Sequence, residues 1–171
     1  MSIFLETKRL ILKTPEISDL ENLVALRTDP EVMMYVGTGI VQTREQVEEF
    51  IANADPYFKE YGLAFCSVFE KETGNFIGQG GLFHLGFNVN QPDIELAYRL
   101  HKKYWGKGYA TELAQALIQW GFEHLPVKKI IAGAYPENIR SHRVLEKAGM
   151  SYSGIINYRG NELWGYEIYK K

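Results

Sequence analysis

The chain has 171 residues, of which 46% are hydrophobic, and a formal net charge of −2. Its length and apolar content suit one domain with a sizeable core, so residues 1–171 are predicted to form a single domain. Because the 19 basic residues are outnumbered by 21 acidic ones, we expect no binding of nucleic acid. Because neither a signal peptide nor a run of ~18 continuous apolar residues occurs, we expect no association with a membrane.

Strand and helix patterns follow one another along the chain. Strands are predicted at residues 9–13, 63–70, from 76 onward, 93–100, 129–134 and 162–170, and helices after Ser18/Asp19 and at 43–58, 108–124 and 138–148. Residues 29–30 predict a loop and 71–75 a hairpin turn, while Thr43 caps its helix with Glu45 or Gln46 near the reciprocal position. The order indicates a mixed α/β sheet covered on both faces.

The most informative segment is a strand that runs into Gly106 and Gly108 and then into a helix. Glycine lets the backbone approach a ligand closely, and the unpaired N–H groups of a first helical turn favour an anion such as pyrophosphate. Two glycines alone also suit a simple tight turn. The segment lacks the third glycine of a dinucleotide fingerprint, and Lys107 is not followed by the hydroxyl residue of a P-loop.

This segment resembles the acetyl-CoA motif of the GNAT superfamily, Gln/Arg-x-x-Gly-x-Gly/Ala, with Lys103 in the first position. Residues 104–112, Tyr-Trp-Gly-Lys-Gly-Tyr-Ala-Thr-Glu, are similar to the ribosomal-protein N-acetyltransferase branch, the RimJ/RimL-like proteins. Residues 7–13, 26–36 and 138–150 resemble the same branch, so nearly the whole chain is covered. The resemblance implies an α/β (α+β) fold with a mixed, mostly antiparallel central sheet, splayed strands 4 and 5, and helices on both faces.

The resemblance further implies acetyl-CoA as cosubstrate and no metal. Its pantetheine would pair like an added strand with the backbone near Tyr98 and Leu100. Asn138 would hold the pantetheine amide, and Ser141 would approach the thioester sulfur. The expected cofactor-binding residues are Tyr98, Leu100, Lys103, Gly106, Lys107, Gly108, Tyr109, Ala110, Thr111, Asn138 and Ser141.

Acetyl transfer to an amine needs a base, because only the unprotonated amine attacks, and charge stabilisation for the departing thiolate. Glu95 is the candidate base, on the strand face opposite Leu96 and Tyr98; the alternative is a solvated or ion-paired carboxylate. Many GNAT enzymes have, at the position of Leu145 in this chain, a tyrosine that protonates the leaving thiolate. Ser141 is the replacement candidate, although an early-helix serine also bonds backbone or phosphate.

The acceptor implied by the resemblance is a protein N-terminal α-amine, whose pKa of about 8 leaves an unprotonated fraction at neutral pH. A small amine, polyamine or antibiotic is one alternative, and a non-catalytic coenzyme A sensor or a nucleotide-binding protein are others. Acidic residues that could attract a cation, or simply be solvated, are Glu45, Glu48, Glu49 and Asp55. Aromatic residues that could line a groove, or belong to the core, are Tyr35, Tyr57, Phe58, Tyr61, Phe83, Phe87, Tyr158 and Trp164.

Cysteine and histidine usage bounds the remaining chemistry. The single Cys66 cannot form an internal disulfide, which suits a cytoplasmic location, and its apolar surroundings predict an inert thiol rather than a covalent acetyl carrier. His84, His101, His124 and His142 lack metal-ligand spacing, and His142 is interpreted as a surface helix residue. Edge strands would permit a homodimer.

Overall fold

The computed structural model describes residues 3–171. One sheet has the strand order β1-β2-β3-β4-β5-β6-β8-β7. The strands are β1 Ile3–Glu6, β2 Leu10–Lys13, β3 Ala64–Glu70, β4 Phe76–His84, β5 Ile94–Leu100, β6 Lys129–Ala134, β7 Ser151–Tyr158 and β8 Asn161–Tyr169. The α-helices are α1 Leu20–Arg27, α2 Pro30–Met33, α3 Arg44–Tyr61, α4 Tyr109–His124 and α5 Ile139–Lys147. The predicted mixed, mostly antiparallel sheet is confirmed.

The sheet is interrupted between β5 and β6. These two strands form its parallel pair, and their register covers only Ile94 with Ile130 and Glu95 with Ile131. By contrast, β4 and β5 stay paired from Gly78 opposite Leu100 to the far end. The fourth and fifth predicted strands, which were expected to splay apart, correspond to β5 and β6. The numbers differ by one because the sequence analysis did not predict β1.

Helices cover both faces of the sheet, as predicted. On β4, Gln79 reaches Arg27 of α1, while a Cβ on the next residue, Gly80, would lie 2.4 Å from Leu113 of α4. Since successive strand residues point to opposite faces, α1 and α4 lie on opposite sides of the sheet. Glycine at position 80 lets α4 pack directly onto the strand.

Helix boundaries follow local capping chemistry. Thr43 and Gln46 form the reciprocal capping box of α3. The helix ends at Tyr61, three residues beyond the predicted end, where Gly62 caps it with a φ of 68°. The loop predicted at residues 29–30 instead begins α2, because Asp29 accepts a hydrogen bond from the Glu31 N–H and Pro30 suits a first helical position.

Two strands escaped the sequence analysis. β1 is only four residues long, and β7 lies at the sheet edge with most of its side chains partly or fully exposed. An edge strand needs little apolar alternation, so its pattern is weak. Within residues 3–171, no helix is both long and apolar enough to cross a bilayer.

Candidate active site

A cleft of about 1310 Å³ opens where β5 and β6 diverge. We call one part of it the loop half, which is defined by Gly106, Gly108 and Asn138. The other part, the α1 half, is defined by Arg27 and Arg99. The two halves are continuous, so a ligand group in one can reach a ligand group in the other.

The loop half contains the glycines that the sequence singled out. Gly106 and Gly108 have φ angles of 75° and 81°, a left-handed conformation that favours glycine. Gly108 is also the N-cap of α4 and supplies no capping side chain. The first-turn N–H groups of this 16-residue helix are therefore left without a side-chain partner from the cap. This arrangement fits a pyrophosphate by backbone donors and helix dipole.

This loop is held by a set of hydrogen bonds between Glu112, Thr7 and Arg9, which we call the brace and which the sequence analysis missed. Glu112, in the first turn of α4, accepts hydrogen bonds from Thr7 Oγ1 at 2.6 Å, from the Arg9 backbone N–H at 3.0 Å and from Arg9 Nε at 2.8 Å. Arg9 Nη1 also donates to the Lys107 carbonyl at 2.9 Å, and its guanidinium lies 4.2 Å from the Tyr109 ring centroid. Tyr109 in turn donates to Glu70. The connection between β1 and β2, together with the end of β3, thus holds the start of α4 and the loop before it in place.

The expected cofactor-binding residues divide into two groups. The cleft is lined by Tyr98, Leu100, Gly106, Gly108, Tyr109, Ala110, Thr111, Asn138 and Ser141. Lys103 and Lys107 lie outside this lining, exposed, with their ammonium groups 5.2 Å and 5.6 Å from the Tyr104 ring centroid. It stays a prediction that Lys103 and Lys107 contribute to cofactor binding, and this contribution would come from their backbone rather than from their side chains.

The start of α5 faces the open edge of β5. Asn138 is the N-cap and accepts from the Ser141 N–H at 3.4 Å, while Ser141 Oγ and the Tyr98 hydroxyl share a hydrogen bond of 2.8 Å. Burial raises the pKa of the Tyr98 phenol, which the bond to Ser141 partly offsets. Tyr98 therefore stays neutral and can pass a hydrogen bond to the Ser141 hydroxyl.

Basic residues on α5 were also missed. Arg140, Arg143 and Lys147 line the loop half, and the Arg140 guanidinium lies 4.8 Å from the Trp105 ring centroid. Their spacing of three and four residues places them on one helix face, a signal that the sequence contained. They give this half a positive wall.

Glu95 lies where β5 and β6 part, and it lines the cleft. Its Oε2 accepts a hydrogen bond from the Gly86 N–H at 3.1 Å. Burial raises the pKa of this carboxyl, while the Gly86 bond and the charge of Arg159 act in the opposite direction. A carboxylate with a raised pKa is a stronger base than an ordinary one.

The candidate acceptor residues are only partly brought together. Of the aromatic set, Tyr35, Phe83, Phe87 and Tyr158 line the cleft, whereas Tyr57, Phe58, Tyr61 and Trp164 do not. Of the acidic set on α3, Glu49 lines it, and Glu45, Glu48 and Asp55 lie elsewhere. The groove is therefore less acidic than the helix sequence suggested.

Two residues have clear structural roles. Cys66 is fully buried, and burial raises the pKa of its thiol, as expected for inert core. The interpretation of His142 as a surface residue is wrong: it is 6% exposed and bonds Pro136 O at 3.1 Å and the Tyr166 hydroxyl at 2.9 Å. In the part of the chain that the structure describes, no group of acidic, histidine or cysteine residues is placed to hold a metal.

Comparisons with known proteins agree with this geometry. A family profile described as "Acetyltransferase (GNAT) domain" matches residues 9–151. The chain is 34% identical to the uncharacterized protein YkkB of Bacillus subtilis, covering 95% of this chain and 94% of that one. It is 30% identical to the uncharacterized N-acetyltransferase YnaD of the same organism, covering 95% and 93%.

A solved structure of RimL, a ribosomal L7/L12 alpha-N-protein acetyltransferase in complex with coenzyme A, superimposes with a TM-score of 0.80. The alignment covers 98% of each chain at 13% identity. At that identity the likeness concerns the fold alone.

Proposed function

The chain belongs to the GNAT acetyltransferase family, and from this premise we propose that it acetylates protein N-terminal α-amines bound in the α1 half of the cleft. Its general activity, acetyl-CoA-dependent N-acetyl transfer, follows from the family. The observation that carries the proposal is the continuity of the cleft, which joins Glu95 to the loop that contains Gly106 and Gly108, here called the glycine cradle. Donor and acceptor can therefore meet at the point where β5 and β6 part.

The residues of the loop half fit acetyl-CoA. Backbone N–H groups after Gly106 and Gly108 would receive the pyrophosphate, and the positive wall of α5 would face its phosphates. The edge of β5 beyond Glu95 has no registered partner on β6, so its backbone is free to pair with an extended amide chain. When bound, acetyl-CoA supplies the activated acetyl thioester.

Glu95 would take the proton of the attacking amine, directly or through a water. On the opposite face of β5, the pair formed by Tyr98 and Ser141 would donate a hydrogen bond towards the departing sulfur. Because Leu145 occupies the usual tyrosine position and is buried, no hydroxyl is available there.

An N-terminal amine is preferred as acceptor because RimL, which shares the fold, is named as an alpha-N-protein acetyltransferase. The lip of the α1 half also carries exposed apolar side chains, including Met34, Tyr35 and Ile40, that could receive a peptide. The buried free thiol of Cys66 agrees with a cytoplasmic location. A small amine remains the alternative acceptor.

The cradle is tested by two matched glycine variants. Gly106 and Gly74 both have a φ of 75°, and a Cβ at either position would meet nothing within 4 Å. Gly106→Ala and Gly74→Ala therefore carry the same backbone strain of about 1 kcal/mol, but only the first places a methyl group in the cradle. We expect calorimetry to show acetyl-CoA affinity lost in Gly106→Ala and kept in Gly74→Ala. Equal affinity in both variants would remove the cradle assignment.

The acceptor is tested by measuring free-thiol release with N-terminal peptides and with small amines such as polyamines. Turnover on peptides, and not on the small amines, supports the proposal. Turnover on small amines alone would reject the N-terminal acceptor in favour of a small amine. Binding of acetyl-CoA without any turnover would reject catalysis in favour of a sensing role.

A further inference from the structure

Two arginines without acidic partners lie in the α1 half of the cleft. Arg27 is 4% exposed, whereas Arg99 on β5 is partly buried, and both line the cleft. The ion pairs found within residues 3–171, at a limit of 4.0 Å, engage neither of them. Burial of a charge is unfavourable unless a counter-charge is present. The Arg27 guanidinium lies 3.8 Å from the Phe50 ring centroid and that of Arg99 lies 4.9 Å from the Phe65 ring centroid, but these rings carry no counter-charge.

Arg27 is held in place, but Arg99 is not fully satisfied. Arg27 donates from Nε to Gln79 Oε1 at 2.8 Å and from Nη1 to Gln42 Oε1 at 2.9 Å. The polar contact of Arg99 is a weak one, from Nη1 to the Met33 sulfur at 3.4 Å. Arg99 thus has donors to spare in its planar fork.

The unpaired donors are adjacent. Within the described residues, the buried side-chain nitrogen and oxygen atoms that lack a partner are Gln79 Nε2 and Arg99 Nε. These two residues sit directly opposite each other on β4 and β5. Because Gln79 Oε1 is occupied by Arg27, its free atom is a donor by necessity. Arg99 lines the cleft, whereas Gln79 is 0% exposed and lies outside the lining, so a ligand in the cleft meets the guanidinium of Arg99. Two positive charges and a guanidinium with an unpaired donor together call for an anionic oxygen ligand.

Resting on the proposed function, we infer that the acetyl acceptor carries a carboxylate, which Arg99 receives while the acceptor's amine lies at Glu95. Both residues lie on the same face of β5, four residues apart, or about 13 Å along the strand. An extended peptide advances ~3.3–3.6 Å per residue, so its third residue lies ~7 Å from its first, and the side chains of Glu95, Arg99 and the acidic residue must span the remainder. The acceptor is thus an N-terminus with an acidic residue close behind it.

Other charges in the cleft do not oppose this assignment. The carboxylate of Glu31 is engaged by Lys102 at 2.5 Å, and Glu49 is exposed to solvent on α3. Arg159 lies in the same cleft and adds a further positive charge. Burial, followed by the charge of Arg99, lowers the pKa of Arg27, as expected for a like-charged pair that lacks a counter-ion.

The test compares amidated tripeptides Ala-Glu-Ala, Ala-Gln-Ala and Ala-Lys-Ala, in which the side chain of Glu is the only carboxylate. For the wild type we expect kcat/KM to be about tenfold or more higher for the Glu peptide than for the Gln peptide, mainly through KM. In Arg99→Gln this preference should fall below about threefold while acetyl-CoA affinity is kept. Arg44→Gln, which removes an exposed arginine outside the cleft, should keep the full preference.

Equal rates with the Glu and Gln peptides in the wild type, or a preference for the Lys peptide, would overturn the inference while leaving acetyl transfer intact. A preference that persists in Arg99→Gln would also overturn it. The wild-type comparison needs no variant, so a poorly folding Arg99→Gln does not remove the test. Absence of thiol release with every amine would instead refute the proposed function, and this inference with it.

Discussion

The brace behind the glycine loop gives the sharpest test of how the chain holds its cleft. Glu112→Ala removes the acceptor of two hydrogen bonds from Arg9 and one from Thr7. The Glu112 side chain is 20% exposed and that of Arg9 39%, so water replaces part of what is lost. Allowing about 1 kcal/mol for each donor, we expect a loss of about 2–3 kcal/mol in the free energy of unfolding.

That loss corresponds to a fall in Tm of about 5–10 °C for a chain of this size. Because Arg9 also donates to the Lys107 carbonyl, the loop should loosen, and we expect acetyl-CoA affinity to fall by about threefold to tenfold. Urea denaturation and calorimetry measure the two effects. Glu21→Ala is the matched control, since Glu21 pairs with Arg44 but is 77% exposed, and its removal should leave the free energy of unfolding nearly unchanged.

The pH dependence of the same variant has a definite sign. Burial alone would raise the pKa of Glu112, but the hydrogen bonds from Thr7 and Arg9 outweigh it and lower the pKa below 4.5. The stabilisation is therefore complete above pH 4.5 and is lost as pH falls through the lowered pKa. The gap between wild type and Glu112→Ala should narrow in acid. Equal stability of Glu112→Ala and Glu21→Ala at neutral pH would refute this reasoning.

Four further outcomes are expected. Because burial raises the pKa of Glu95, the acid limb of kcat/KM should lie above pH 4.5, and Glu95→Gln should remove that limb and lower kcat/KM by about 10²–10⁴-fold. Ser141→Ala should lower kcat with little change in acetyl-CoA affinity, and an unchanged kcat would exclude its role as hydrogen-bond donor. Cys66→Ala should keep turnover, since a fully buried thiol with a raised pKa is not an acetyl carrier. Arg99→Met should raise Tm by about 2–6 °C, because burial lowers the pKa of Arg99 to about 10 and the unbalanced charge opposes folding; a lower Tm would contradict this account.

Features that depend on neighbouring residues could be predicted from the sequence. The left-handed glycines before α4, the capping box of α3 and the face of β5 that carries Glu95 all follow from local chemistry or strand alternation. Of these, the glycines before α4 lie in the loop half of the cleft. Local rules therefore located the expected cofactor site.

Features that depend on distant residues could not. Glu112 meets Arg9 across 103 positions, and no local pattern announces that contact. His142 occupies a polar helix, yet Tyr166 of β8 covers it from 24 residues away. That Arg99 has no acidic partner among residues 3–171, and that its Nε is unpaired, is likewise visible only once β4 and β5 are paired and its surroundings are known. The carboxylate-binding role that we propose for Arg99 could not be inferred from the sequence for this reason.

The short pairing between β5 and β6 has a consequence for the cooperativity of local unfolding. Because only two residue pairs register there, the sheet consists of two blocks, β1 to β5 and β6 to β8, that share little backbone hydrogen bonding. We expect such blocks to exchange their amide hydrogens as separate cooperative units. An extended ligand bonded along β5 would couple them, so amides in residues 97–100 would gain protection from exchange together with those of the second block. Filling the gap would then change the folding cooperativity of the whole domain, in addition to occupying a site.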